Sequence, residues 1–256
     1  MEQHTAMTID PIHQFEISNY FTIAKIGWRE IAFTNSSMFM VIAVAIIAIL
    51  MIGTTRSRAL VPGRLQSLAE ICYEFSEDMV KKNAGEEAMK FFPFVFSVFM
   101  FILVLNLVGL LPYSFSVTSH IIITVALALL VFFTVIVYGF WKNGLRFLKI
   151  FVPTGVPMYI LPVIVAIEVL SFLSRPVSHS VRLFANMLAG HITLKVFGGF
   201  VTMLGAAGLL GWLGAALPLI MVVLLTALEF LVAFLRAYVF AILTCIYLHD
   251  AIHPGH

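Results

Sequence analysis

Long apolar runs constrain this chain more than any other feature of its sequence. They fall near residues 38–52, 91–111, 119–140, 156–174, 181–217 and 218–248. A helix needs about 20 mainly apolar residues to cross the hydrocarbon core of a bilayer. The composition agrees, because 61% of the residues are hydrophobic and only 11% are charged, against roughly 45–50% and about 25% in soluble domains. The sequence therefore predicts an all-α integral membrane protein with a single membrane domain over residues 1–256.

The first part of that domain divides into four segments. We expect 1–37 to be an outer-side N-terminal segment, 38–52 the first span, 53–90 a cytoplasmic amphipathic segment and 91–140 a helical hairpin. Within the charged 53–90 segment, apolar residues recur at helical spacing, which is typical of a helix on the membrane surface. These residues are Leu65, Leu68, Ile71, Cys72, Phe75 and Met79. The pattern predicts about five membrane helices plus one amphipathic surface helix.

The last third is too long for simple perpendicular spans. From 156 to 197 the pattern stays helical for about 40 residues, or roughly 60 Å, which is twice the ~30 Å hydrocarbon core. Either the helix breaks, for example at Pro176, or it lies strongly tilted. We favour tilt, which makes 156–248 a long, steeply tilted hairpin with the glycine-rich stretch 198–217 as its bend. Such a hairpin is suited to following a curved partner.

Loop charge predicts the orientation. Segments 53–90 and 141–149 hold nine of the fifteen Lys and Arg residues, and basic loops stay on the cytoplasmic side. We therefore expect the N-terminus outside and the C-terminus inside. No cleavable signal or transit peptide is evident, so the first apolar run is interpreted as a retained span. We expect a multi-pass protein of the bacterial inner membrane, in preference to the mitochondrial inner membrane.

Polar side chains cluster within the apolar run at 168–195, where ionisable groups are costly unless they face a partner or a water-filled path. The ionisable ones are Glu168, Arg175, His179, Arg182, His191 and Lys195. At 100° per residue, five polar residues fall on one helical face, with two more at its margins. The five are Glu168, Arg175, Arg182, Asn186 and Thr193, and the two are Ser178 and His179. The chain thus has a polar stripe along a membrane helix.

Arg182 is the strongest functional candidate, because a guanidinium keeps its proton even when buried. The alternative is a structural arginine paired to Glu229 or Glu168. Buried carboxylates and histidines can exchange protons near neutrality, so Glu168, Glu229 and His191 are candidates for proton passage. His191 lies about 180° from Arg182 on a helix, which suggests polar routes on two sides. For Glu229 the alternative is an ion pair with Arg236.

The other polar residues favour structural interpretations. We expect His179 to be a core histidine, Lys195 to extend to the membrane interface, and Arg175 to pair with Glu168. The sequence holds no nucleotide loop, zinc motif, nucleophile elbow or redox pair, so we expect no enzyme active site, metal or cofactor. Its basic residues are spread along loops, which gives no indication of nucleic acid binding.

Three sequence strings carry a resemblance to a known family. They are SRPVSHSVRLFANMLAGH (174–191), LEFLVAFLRAYVFAILTCIYLHD (228–250) and NLVGLLPYSF (106–115). On these strings the chain resembles subunit a of the F-type ATP synthase, in its alpha-proteobacterial and mitochondrial form. The resemblance implies a proton-translocating stator subunit, not catalytic by itself, whose two aqueous half-channels reach a ring of c subunits. It implies as partners the c-subunit ring, the b-type peripheral stalk, the rest of the ATP synthase and membrane lipid.

The resemblance also implies roles for individual residues. Arg182 would be the essential arginine facing the ring, while Ser178 and Asn186 match polar positions that flank it. Glu168, His191 and Glu229 match positions associated with proton passage. One position departs, since Arg236 stands where the family usually has glutamine. The rival hypothesis is a secondary transporter with an intramembrane charged site, which predicts an internal repeat and broken helices.

Overall fold

The computed structural model describes residues 19–26, 29–56, 63–111, 114–152, 159–206 and 208–252. Six α-helices make up most of this part of the chain: α1 Asn35–Arg56, α2 Arg64–Ala84, α3 Phe92–Gly109, α4 Ile121–Asn143, α5 Leu161–Gly205 and α6 Leu209–Ile252. All except α2 are long and apolar enough to cross a membrane. The prediction of an all-α membrane protein with five spans is confirmed.

One small element was not predicted. Strands β1 (Asn19–Ile26) and β2 (Arg29–Thr34) form an antiparallel hairpin directly before α1. It lies within the segment 1–37, for which the sequence predicted no structure. Predictions for 1–18, 57–62 and 253–256 lie outside the described residues.

The helix α2 is the amphipathic one. Toward its C-terminal end, Met79 and Val80 are buried, and Phe75 packs against Phe99 of α3 and Tyr238 of α6. Toward its N-terminal end, the predicted apolar positions Leu65, Leu68 and Ile71 are exposed. Half of α2 is therefore anchored on the bundle, while the other half presents an apolar face. Its location on the membrane surface stays a prediction.

The helix α3 is the centre of the bundle. It packs against α6 and α1, and its side chains Phe99, Ile102 and Leu105 are almost fully buried. A buried amide reinforces the α3–α6 contact, since Asn106 Nδ2 donates to the Ala233 carbonyl at 3.2 Å. The described residues include three 3-10 segments: Glu86–Phe91 directly before α3, Val117–Ser119 between α3 and α4, and Gly144–Phe151 after α4.

The last two helices form the predicted long hairpin. α5 has 45 residues and α6 has 44, which is about 67 Å each at 1.5 Å per residue. Both run unbroken through an internal proline, Pro176 and Pro218, so the alternative of a break at Pro176 is wrong. The unbroken helices also disfavour the transporter hypothesis. Since each helix is twice as long as the ~30 Å core is thick, the tilt remains our prediction for how they are accommodated.

The bend of the hairpin is much shorter than predicted. α5 continues to Gly205 and α6 begins at Leu209, so only three residues separate the two helices, whereas the predicted bend covered 198–217. Gly208 has φ +88°, a left-handed conformation that glycine adopts without steric cost. Gly198 and Gly199 lie inside α5. Small residues of this kind are common in membrane helices, where they let neighbouring helices pack closely.

Candidate functional site: the polar faces of helices α5 and α6

Arg182 lies on an exposed face of α5. Ser178 and Asn186, one turn to either side, are exposed as well, and the same face carries the small residues Ala185 and Ala189. In the described part of the chain no carboxylate forms an ion pair with Arg182. The alternative of a structural pair with Glu229 or Glu168 therefore has no support in the structure. The face combines one fixed positive charge with side chains small enough for another helix to approach closely.

Arg175 has a different partner from the predicted one. Its Nη1 donates to Oδ2 of Asp250 on α6 at 2.9 Å, so the expected pairing with Glu168 is wrong. The guanidinium also lies 5.3 Å from the ring centre of Phe172 and 5.0 Å from that of Tyr247. Local spacing favoured Glu168 because it is one heptad away, whereas Asp250 is 75 residues distant. Arg175 thus links the first third of α5 to the C-terminal end of α6.

A second group of polar side chains is buried between α5 and α6. Glu229, Arg236 and His191 are 9%, 8% and 8% exposed. Among the described residues, Oε2 of Glu229 and Nε and Nη1 of Arg236 have no hydrogen-bond partner. Buried polar groups normally find partners, with ordered water supplying those that the protein does not. These unsatisfied atoms indicate a hydrated environment.

Glu229 and Arg236 interact through their charges and not through a direct ion pair. They share a face of α6, and each charge acts on the other, yet no described atoms of the two groups come within salt-bridge distance. The charge of Arg236 also acts on His191, as does that of Lys195 one turn further along α5. The charge of Arg236 therefore acts on both Glu229 and His191.

The carboxyl of Glu229 lies directly against the backbone of Gly190. A Cβ built on Gly190 would lie 2.9 Å from Cδ of Glu229 and would overlap Oε1. A side chain at this position would therefore displace the carboxyl of Glu229 from its place at the crossing. The contact brings Glu229 beside the residue that precedes His191, which places the acid and the histidine in one region.

A small cavity lies between Arg182 and Arg236. About 10 Å³ of space lies between α5 and α6, lined by His179, Arg182, Leu183, Arg236 and Phe240 among others, and this is room for about one water molecule. His179 is buried with its ring centre 3.8 Å from that of Phe240, as expected of a core histidine. Arg236 thus lies between the Glu229 region on one side and Arg182 on the other.

Sequence reasoning missed a set of buried hydroxyls in the α3–α4 connection. Thr118 Oγ1 donates to Oδ1 of Asn106 at 3.0 Å, and Asn106 in turn donates to the Ala233 carbonyl, one turn from Glu229. Ser116 and Ser119 share a hydrogen bond of 2.7 Å nearby. The signal was present as SFSVTS (114–119), a polar run at a connection that carries no charge.

The candidate residues fall on two sides of Arg182 along α5. Glu168 is 14 residues before it, about 21 Å away along the axis, and His191 is nine residues after it, about 13.5 Å away. Glu168 is half-buried and has no ion-pair partner among the described residues. Lys195 is half-buried too, and its extension to the interface stays a prediction. Along α5, Arg182 therefore lies between Glu168 on one side and the region of His191 and Glu229 on the other.

The chain is similar to a well-defined set of proteins. The family described as ATP synthase A chain matches residues 37–249. A protein named ATP synthase subunit a from Nitrobacter winogradskyi is 69% identical over 248 residues, covering 97% of this chain and 100% of the relative. Relatives of the same name from Rhodopseudomonas palustris (strain TIE-1) and Bradyrhizobium diazoefficiens are 67% and 66% identical over 250 and 251 residues, with 98% of this chain and 100% of each relative covered.

Proposed function

The chain belongs to the ATP synthase A chain family as a membrane subunit of the F-type ATP synthase, and from this premise we propose that it is the proton-translocating stator subunit. It provides two aqueous half-channels to the ring of c subunits and couples proton flow to rotation. The bond-making steps of ATP synthesis take place on other subunits. The observation that carries this proposal is the position of Arg182, exposed on α5 between two separate groups of polar side chains.

The exposed guanidinium of Arg182 supports a partner that brings a negative charge. A fixed charge at bilayer depth is costly when nothing compensates for it, and no described carboxylate of this chain pairs with Arg182. The small residues Ala185 and Ala189 allow a neighbouring helix to approach the same face. A carboxylate on a ring subunit fits both requirements.

The outer half-channel is assigned to the region around Glu229. With the N-terminus outside, as loop charge predicts, the α3–α4 connection and the turn at 206–208 face the outer side. The buried hydrogen-bonded series from Thr118 through Asn106 to the Ala233 carbonyl then extends from the α3–α4 connection toward the turn of α6 that holds Glu229. The unsatisfied atoms of Glu229 and Arg236 support water along this route.

The inner half-channel is assigned to the opposite part of α5, near Glu168. A proton reaches a ring carboxylate by the outer route and neutralises it, so that the carboxyl can rotate through lipid at low cost. After nearly a full turn the carboxyl releases its proton into the inner route. Arg182 prevents direct passage because its positive charge favours the ionised carboxylate and repels a proton. The membrane potential contributes about 2.3 kcal/mol per charge per 100 mV.

The remaining assignments follow from membership in this complex. We place the protein in the bacterial inner membrane with its C-terminus in the cytoplasm, beside the c-subunit ring and the b-type subunits of the peripheral stalk. Helix α1 stands at the edge of the bundle with many of its apolar side chains exposed. It therefore offers surface to lipid or to a stalk helix.

Silver-ion accessibility tests the two routes. Cysteine is introduced at Thr118 or at Glu168 in the assembled enzyme, with Cys72 and Cys245 replaced by serine and alanine. Ag⁺ added to the outer side should inhibit proton transport in the Thr118→Cys enzyme, and Ag⁺ on the inner side should inhibit the Glu168→Cys enzyme. A Val131→Cys enzyme, altered at a buried apolar position, serves as the control. Equal inhibition of both variants from one side would overturn the assignment of two separate routes.

A further inference from the structure

An open groove lies between the start of α3 and the end of α4, away from the polar faces of α5 and α6. It encloses about 800 Å³. Its lining includes Lys90, Phe91, Phe133, Val137, Trp141 and Lys142. Nothing in the proposed proton path uses these residues, so the groove requires a separate explanation.

The floor of the groove is apolar over the depth of about one lipid leaflet. Phe133, Val137 and Trp141 follow one another at four-residue intervals on one face of α4 and are 58%, 61% and 85% exposed. From Phe133 to Lys142 the helix rises about 13.5 Å, close to half of the ~30 Å hydrocarbon core. An acyl chain would lie along this floor, whereas a soluble ligand would have no reason to enter it.

The end of the groove near the membrane surface is basic and aromatic. Lys90 and Lys142 both line it beside Trp141, and tryptophan rings are enriched where membranes meet water. Phe91 and Tyr138 form one wall, with their ring centres 4.4 Å apart. The shape and chemistry of the groove therefore match an amphipathic ligand with a charged head and an apolar tail.

The two lysines that line the groove indicate the sign of the charge on the headgroup of the ligand. Lys142 Nζ is 2.5 Å from Oε2 of Glu87, whose side chain is largely exposed. Lys90 is exposed and has no ion-pair partner in the described part of the chain. The groove thus offers one uncompensated positive charge, together with a second one that an exposed carboxylate partly balances. A negatively charged headgroup complements this arrangement better than a zwitterionic one.

We propose that this groove binds one anionic phospholipid, with its phosphate between Lys90 and Lys142 and an acyl chain along Phe133 and Val137. Basic pockets between membrane helices are known to hold anionic headgroups, and each lysine near the surface is worth roughly five-fold in affinity. The site is independent of the proton path, so its failure would leave the proposed function intact.

Fluorescence quenching by brominated lipids tests the site in the assembled enzyme. The enzyme is reconstituted in phosphatidylcholine with a fixed fraction of brominated phosphatidylglycerol or brominated phosphatidylcholine. The difference between the parent and a Trp141→Phe variant isolates the signal of Trp141. We expect phosphatidylglycerol to quench Trp141 more strongly than phosphatidylcholine at equal mole fraction, and each of Lys90→Gln and Lys142→Gln to lower that preference roughly five-fold.

The matched control removes the same charge elsewhere. Lys81 and Lys82 lie on α2, outside the groove, where they pair with Glu77 and Asp78. The Lys81→Gln/Lys82→Gln enzyme should keep the preference for phosphatidylglycerol, and retained ATP hydrolysis will verify assembly of every variant. Equal quenching by the two lipids, or equal loss in the control, would overturn the proposal. Absence of quenching by either lipid would do so as well, because it would mean that another subunit covers the groove.

Discussion

The carboxyl of Glu229 on α6 lies against the backbone of Gly190 on α5, in the space that a Cβ on Gly190 would occupy. The missing side chain at position 190 lets the carboxyl adopt this position where the two longest helices cross. Because His191 is the next residue along α5, the same contact determines where the histidine lies relative to the acid. The absence of one methyl group therefore sets the geometry of the proposed outer route.

Replacing Gly190 by alanine should damage both packing and transport. The new Cβ would overlap Oε1 of Glu229, and overpacking of this kind typically costs about 1–3 kcal/mol. We expect a lower thermal stability of the purified complex and a strong loss of ATP-driven proton pumping. Gly198→Ala is the matched control, since a Cβ there meets nothing within 4 Å.

A second substitution separates the steric effect from loss of function. In a Gly190→Ala/Glu229→Ala enzyme the clash is removed, so stability should recover while proton pumping stays low. If Gly190→Ala alone matches Gly198→Ala in stability and pumping, the close approach of Glu229 does not exist in the assembled enzyme.

The Arg175–Asp250 pair should stabilise the open end of the hairpin. The pair is partly buried and the guanidinium also packs on two aromatic rings, so it should exceed an exposed pair in strength. We expect Asp250→Asn to lower stability on the order of 1 kcal/mol, and Asp78→Asn, which breaks the exposed pair with Lys82, to have almost no effect. Thermal unfolding of the complex measures both, and similar shifts for the two variants would argue against this role.

Arg236 and Glu229 should be energetically coupled although they form no ion pair. Their charges act on one another across the buried region, so the effects of Arg236→Gln and Glu229→Gln on proton pumping should not add. A double-mutant cycle should give a coupling of about 1 kcal/mol. Arg175→Gln combined with Glu229→Gln provides the uncoupled reference. Strict additivity for both combinations would mean that Arg236 does not influence Glu229.

His120 should make the α3–α4 end of the bundle sensitive to acid. It lies just before α4, stacked on Phe115 with ring centres 4.8 Å apart, and partial burial lowers its pKa below 6.5. The unfolded chain therefore binds a proton more readily than the folded one, and stability falls as the pH drops through about 6.5 and below. We expect His120→Gln to reduce the loss of thermal stability between pH 7.5 and pH 5.5. An unchanged pH profile would exclude His120 as a source of acid sensitivity.

The sequence predicted the features that depend on local hydrophobicity. The five spans, the amphipathic helix α2 and the unusual length of α5 and α6 all follow from the apolar pattern, and the polar stripe that contains Arg182 follows from helical spacing. Features that depend on distant contacts were not predictable. Arg175 paired with Asp250 because the hairpin brings α6 alongside α5, and a one-dimensional pattern favoured the nearer Glu168.

Glycine was the least predictable residue type. A glycine-rich stretch suggested a broad bend at 198–217, but among its described residues only Ala206 and Gly208 lie outside the two helices, with Gly208 in a left-handed conformation. The other glycines of this stretch lie inside α5 or α6. The role of Gly190 depends entirely on Glu229, 39 positions later in the chain, and no local signal marks it.

Proton flux through the assembled membrane sector in vesicles tests most directly whether Arg182 separates two half-channels. The measurement compares the Arg182→Ala enzyme with the parent enzyme. Arg175→Ala removes an arginine that already has a carboxylate partner, and it serves as the matched control. We expect Arg182→Ala to abolish proton-driven ATP synthesis while passive proton leak persists or rises, because the barrier between two half-channels has been removed. Survival of coupled synthesis in Arg182→Ala would contradict the role of Arg182 as that barrier and would make it a structural residue.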